Sequence, residues 1–367
     1  MRGGYAALKT TWGAIAAKHN LQEETIVKRN LFVNRIAALG AAAAIVAAVF
    51  APAASAETSE VRVARQYGIS YLPIMVMEEQ KLIEKAAAAA GITNLNVTWV
   101  TFAGGNVMNE ALLSGSLDFA SGGVAPFITL WAKTHGNYNI KGVAALELMP
   151  LYLNTRNPNV KTIKDFTEKD KIGLPAVKVS IQAVTLQMAA EQAFGPGKQN
   201  ELDRLTVTLS HPDAMAALLN NTSEVTGHFG APPFQEQELA DPRIHRVLNS
   251  YDVLGGPATF NVIWAAPKFR DGNPKVYAAF VKALDEAQAF INKDHRAAAE
   301  TYLRMSKDKS SVDDIVKMLD DPLIVFTTTP QNTMKYVDFM LRIGTIKVRP
   351  DSWKSMFFDN VHNLPGS

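Results

Sequence analysis

Apolar positions recur along this chain with two different periods, and the switches between them predict most of its elements. From Asn96 the run NVTWVTF alternates around β-branched and aromatic residues, which predicts a strand over Val97–Phe102. Gly104, Gly105 and Asn106 break it, and Val107–Leu113 then carries apolar residues at helical spacing. Ser114-Gly115-Ser116 stops that helix, and Leu117–Ala120 reads as a short buried strand ending in Ser121-Gly122-Gly123. This order is a βαβ unit whose glycines cluster where loops leave the carboxyl ends of parallel strands. Open α/β sheets bind ligands there, so a small-molecule cleft is the first expectation.

The same reading extends both ways. Val61–Ala64 alternates as a first strand, followed by the loop Gln66–Leu72 and Pro73 at a helix start. One helix is expected from there through Ala90, ended by Gly91. Lys141–Leu146 and Leu151–Asn154 read as strands. The pattern restarts with a short helix over Asn159–Phe166 and a strand over Lys171–Pro175. A helix over Ile181–Phe194 follows, then a strand over Leu205–Leu209, a helix Ala214–Leu219 opened by His211-Pro212-Asp213, and a strand over Val225–Phe229. Arg243–Leu248 and Phe260–Ala265 are later strands, and beyond Pro267 the periodicity is helical. Two blocks of this kind predict an α/β protein of two lobes with a cleft between them.

Composition narrows the class. The 367 residues are 47% hydrophobic, with nearly balanced charge. Residues 1–56 carry six Lys/Arg and two acids, which leaves 31 basic and 33 acidic residues in the remainder. No basic surplus points to nucleic acid. Lys28, Arg29 and Arg35 precede the small-apolar run Ile36–Phe50, and Ala54-Ser55-Ala56 forms an A-x-A cleavage site. This is the pattern of a secretory signal peptide over about 27–56. The alternative, a membrane anchor, meets an apolar core shorter than the roughly 20 residues a spanning helix needs. Residues 1–26 fit no signal peptide, and a translation start near Val27 would account for them. With no cysteine in the chain, thiol nucleophiles and Cys-type metal sites are excluded, and stability must come from a sizeable core.

The chain from about Val61 to Trp353 resembles the periplasmic solute-binding proteins of nitrate/sulfonate/taurine-type ABC transporters. The resemblance rests on Gln66–Pro73, on NEALLSGSLDFASGGVAPF (Asn109–Phe127), on NVKTIKDF with KIGLP (Asn159–Phe166, Lys171–Pro175), and on LSHPDAMAALLNNTSEVTGHFGAPPF (Leu209–Phe234). It departs from that family at Asn221–Gly227, where a Gly followed by Asp-Ala is usual, and at Ala231, where an aromatic often precedes the proline. The resemblance implies a type II periplasmic-binding fold, with a leader over 1–56, lobe one over 57–153 and 259–367, and lobe two over 154–258. Two hinge crossovers would fall near Leu151–Asn154 and Gly255–Asn261, with solute trapped by lobe closure. It further implies a monomer that serves an inner-membrane permease and ATPase, and the lack of a lipid-carrying cysteine at the cleavage site makes a free periplasmic protein the expectation. The remaining alternatives are an enzyme of the thiamine-pyrimidine-synthase branch, whose cysteine-rich iron motif is absent, and a periplasmic ligand sensor.

Candidate ligand residues follow from the strand-end loops. In the first lobe they are Gln66, Tyr67, Gly68 and Tyr71, then Gly104, Gly105 and Asn106, then Ser121, Gly122 and Gly123. In the second they are Lys178, Val179, Ser180, Gln182 and His228, with Thr259 and Asn261 near the second hinge. Loops that open helices present N–H groups suited to oxyanions, though Ser180 serves equally as a plain N-cap. The two tyrosines either line the pocket or pack on lobe one. His228 is the titratable residue singled out, as an acid-ligand donor or a structural histidine. His211 reads as a surface or cap residue. Scattered histidines give no metal spacing, so neither metal nor cofactor is expected. Two pockets fit these loops: one for a small oxyanion, one for a larger organic stacked on Tyr67, Tyr71 or Phe229.

Overall fold

The computed structural model describes residues 57–220 and 223–367. The leader reading, with its signal peptide, and the departure at Asn221 and Thr222 lie outside the described residues. The strands, in chain order, are β1 (Glu60–Arg65), β2 (Asn96–Thr101), β3 (Phe119–Gly123), β4 (Lys141–Ala145), β5 (Glu147–Leu148) and β6 (Tyr152–Thr155). They continue as β7 (Ile172–Leu174), β8 (Thr206–Thr208), β9 (Gly227–Phe229), β10 (His245–Asn249), β11 (Asn261–Ala265) and β12 (Val325–Phe326). Two five-stranded sheets result, ordered β2-β1-β3-β11-β4 and β10-β6-β9-β7-β8, with β5 and β12 paired separately.

The two large sheets share one layout. Each has three parallel strands with the first in sequence at the centre: β1 pairs with β2 and β3, and β7 with β8 and β9. Each is then extended by an antiparallel strand, β11 against β3 in one and β6 against β9 in the other. The chain leaves the first sheet after β4 and returns to it at β11, so it passes between sheets twice. Helices cover the faces. The 20-residue helix Pro274–Lys293 lays Val276, Phe280, Ala283, Leu284 and Ile291 inward at helical spacing. Phe280 stacks on Phe119 of β3 at 3.7 Å between ring centroids, which pins that helix to the first sheet.

Three local expectations differ. The single helix over Pro73–Ala90 is two, Leu72–Glu79 and Leu82–Ala89, because Lys81 takes a left-handed conformation at φ 53°. The apolar stripe of Ile74, Met77, Leu82 and Ile83 runs across that break, so spacing alone does not show it. The segment Asn159–Phe166 holds only one 3₁₀ turn, Ile163–Asp165. Thr162 and Asp165 cap each other there, which satisfies the backbone locally and leaves no drive to extend. Finally, Ser121, Gly122 and Gly123 are not a loop after β3 but its last residues, paired with Ile263, Val262 and Asn261 of β11.

Candidate functional site

The ends of the central strands of both sheets meet at one small cavity. It is lined by Gln66, Tyr67, Tyr71, Gly105, Gly123, Pro126, Phe260 and Asn261 from the first sheet's side. Pro175, Ser180, Ile181, Gln182 and His211 line it from the second. Its volume is about 20 Å³, room for no more than a water. Gln66 and Tyr67 also border an open groove of about 600 Å³ that carries Arg65, Gly68, Met215, Phe234 and Tyr302. A solute therefore reaches the cavity only if its walls part.

Glycines permit this closeness. A Cβ on Gly123 would lie 2.7 Å from Ile181 Cγ2, and one on Gly122 2.8 Å from Gln66 Nε2. Gly68, at φ 111°, brings its backbone against the Pro232 carbonyl, which accepts from Ile69 N–H at 3.1 Å. Gly68 and Gly123 lie where an added side chain would collide with a neighbour, whereas at Gly122 the Gln66 amide would have to swing aside.

Several helices start at the cavity: Gly105–Leu113, Val124–Thr134 just after Gly123, Ile181–Phe194, and His211–Leu219. Ser180 caps the third by accepting from Ala183 N–H at 3.2 Å, and Ser210 caps the fourth through Asp213 N–H. Helix starts favour negative charge by about 0.3–1 kcal/mol each when exposed, and more when partly buried. Among the described residues lining the cavity there is no lysine or arginine.

Two buried hydrogen-bonded chains run into it. From the first sheet's side, Tyr71 OH donates to Asn261 Oδ1 at 3.2 Å, and Asn261 N–H donates to Glu147 Oε1 at 3.1 Å. Burial pushes the Glu147 carboxyl well above the ordinary carboxylate range, an effect the Asn261 N–H groups offset in part. The Asn261 amide nitrogen itself makes no hydrogen bond of full geometry. Burial also raises the Tyr71 phenol well above its usual value.

From the second sheet's side, His228 Nδ1 donates to Glu238 Oε1, while Asn154 Nδ2 donates to Glu238 Oε2 at 2.9 Å. His211 Nδ1 lies 2.9 Å from His228 Nε2, and His211 Nε2 lies 3.3 Å from Gln182 Nε2. Phe234 stacks on the His211 ring at 5.8 Å. Burial, and then the neighbouring His228, drive the His211 pKa well below the usual histidine value.

Of the residues expected from the loops, Gln66, Tyr67, Tyr71, Gly105, Gly123, Ser180, Gln182 and Asn261 come together here. Tyr67 is 42% exposed at the mouth and Tyr71 is buried. Gly68 lines the outer groove, and Gly104 packs against the Pro175 carbonyl with Asn106 beside it. Ser121 Oγ donates to the Ala64 carbonyl, and Gly122 sits under Gln66 and Trp264. Thr259 exchanges hydrogen bonds with the backbone of Gln331. Lys178 and Val179 line a separate depression with Gln187 and Asp203. His228 is fully buried one layer behind the cavity, and the residue that reaches it is His211, itself only 5% exposed and not a surface cap. The pattern did hold a signal for it. Ser210-His211-Pro212 opens a helix just after β8, the position Ser180 holds after β7. Among the described residues no group of histidines and acids is placed to hold a metal.

This architecture is the periplasmic-binding-protein fold. The alkanesulfonate-binding protein SsuA of Xanthomonas axonopodis pv. citri, bound to MOPS, superposes with a TM-score of 0.63 at 16% identity, over 79% of this chain and 95% of that one. The periplasmic nitrate-binding protein NrtA of Synechocystis PCC 6803 gives 0.62 at 14% identity, over 82% and 84%. The Candida albicans CA3427 gene product gives 0.63 at 17%, over 82% and 96%. The chain belongs to the NMT1-like family, whose sequence profile matches residues 54–305. No curated protein sequence matches it.

Proposed function

We propose that this protein is an extracytoplasmic solute-binding receptor of an ABC importer, which captures a small anionic organic solute and delivers it to a membrane permease. The observation that carries the reading is the convergence of helix starts from both sheets on one cavity that holds buried amide and imidazole groups but no cationic side chain. Such a site neutralises a carboxylate or sulfonate with N–H dipoles and needs no ion pair. On this reading the two sheets belong to two lobes, 57–153 with 259–367 and 154–258, that part along the cavity and close on solute. The signal peptide sends the mature chain to the periplasm. Family membership and the structural likeness to sulfonate- and nitrate-binding proteins support it.

A thermal-shift screen over sulfonates, nitrate, carboxylates, amines and pyrimidines tests this. A solute at a hundred times its Kd adds about 2.7 kcal/mol, which raises the melting midpoint by several degrees. A hit recovered chemically unchanged is expected. A hit consumed by the protein would replace the receptor reading with an enzyme.

A further inference from the structure

The cavity and the groove beside it differ in size and in lining. The cavity has room for no more than a water, whereas the groove holds about 600 Å³, within the roughly 300–1,000 Å³ of small-molecule sites. Gln66 and Tyr67 line both, so the two spaces adjoin. His211 and Met215 stand four residues apart on one face of their helix, the first at the cavity and the second at the groove. Phe234 stacks on the His211 ring and also lines the groove. Met75 and Tyr302, both buried, and Met305 complete its apolar lining. Methionine adapts its shape to what it packs against. Of the polar side chains there, Arg65 pairs with Glu78, and Gln237 Nε2 donates to Asp308 Oδ2 at 3.0 Å and to Ser310 Oγ at 2.9 Å. Lys307 and Lys309 line it too and are exposed to solvent.

We propose that this groove is a second subsite of the solute site and takes the apolar body of an amphipathic anion whose charged group lies at the helix starts. The inference rests on the receptor reading and narrows its solute class to anions with an apolar chain long enough to pass Gln66 and Tyr67. The helix starts and buried amides of the cavity suit a charged head, and the cavity has no room for a chain. The groove supplies both the volume and the apolar lining. On the receptor reading Met75, Tyr302 and Met305 belong to one lobe and Met215 and Phe234 to the other, so lobe closure buries the chain between them. Each methylene buried there raises affinity by about two- to fourfold. Nitrate and acetate have no chain, leave the groove to water and bind more weakly.

The experiment measures calorimetric Kd values of the full-length protein for the straight-chain carboxylates from acetate to octanoate, and for 1-octanol. The expected result is an affinity that climbs by about two- to fourfold per methylene once the chain reaches the groove, with octanoate about tenfold or more tighter than butanoate. Octanoate is also expected to bind more tightly than 1-octanol, which lacks the charged group. Met215→Gln and Met305→Gln, on two separate helices, each put a polar amide in the groove and are expected to flatten the climb. If the short carboxylates bind and the longer ones gain nothing, or if neither variant flattens the climb, the inference is overturned while the receptor reading stands. If 1-octanol binds as tightly as octanoate, the anionic reading fails and the apolar subsite stands. Binding by no member of the series overturns both.

Discussion

The two walls of the cavity hold their polar groups by different means. On the first sheet's side the groups belong to strand and helix residues pressed together through glycines, and the chain Tyr71–Asn261–Glu147 ends in a buried carboxyl whose pKa burial raises. On the second side they sit at the starts of capped helices, and the chain His211–His228–Glu238 ends in a carboxylate held by two donors. The first wall is defined by close backbone approach, the second by a buried hydrogen-bonded network. Substitutions should therefore damage them differently: added bulk hurts the first, and removed partners hurt the second.

The largest effect is expected from Glu238→Ala. It strands the His228 and Asn154 donors in the interior, and loss of one partner from a buried charged network costs about 3–5 kcal/mol. Urea unfolding should show the loss as a lower midpoint; a drop under about 1 kcal/mol would mean that water refills the site. Gly123→Ala comes next. Its new methyl would meet Ile181 Cγ2 at 2.7 Å across the cavity, and such overpacking costs about 1–3 kcal/mol. Small-angle scattering should report a wider separation of the two halves without solute, and an unchanged profile would show that Ile181 yields instead.

The smallest effect at neutral pH, and the sharpest contrast, is in pH dependence. Glu147 has a raised pKa in the fold, so its contribution is full below 4.5 and is lost as pH rises. His211 has a lowered one, so its contribution is full above 6.5 and is lost as pH falls and the unfolded chain takes up the proton. Glu147→Gln should flatten the alkaline limb of the stability profile, and His211→Gln the acid limb. Both limbs moving together in either variant would show that the two walls unfold as one electrostatic unit.

The helix Ile181–Phe194 was legible to the residue, because Ser180 at its start and Gly195 at its end bracket a run of apolar and helix-forming residues. Ten of the twelve strands were legible to within three residues, as was the alternation that makes two α/β halves, while the two-residue strands β5 and β12 were not. Eight of the loop residues named from strand ends do line the cavity, since the position of a βα loop is fixed by chain order alone. What the chain order does not carry is which side of a loop faces inward. Lys178 and Ser180 are two residues apart, yet one faces a separate depression and the other the cavity. His228 looked like the ligand-facing histidine because it ends a strand. Glu238, ten residues on, draws its ring inward, and His211 takes its place at the wall.

The sequence by itself determined the α/β periodicity, the family and the strand-end loops from which a site is built, because these depend on local spacing and on the order of elements. Tertiary structure decided which glycines are contact points and which histidine lines the cavity. Those properties depend on partners far apart in the chain: Gly123 against Ile181, Tyr71 against Asn261, His211 against His228. Such contacts exist only once folding brings their distant partners into reach.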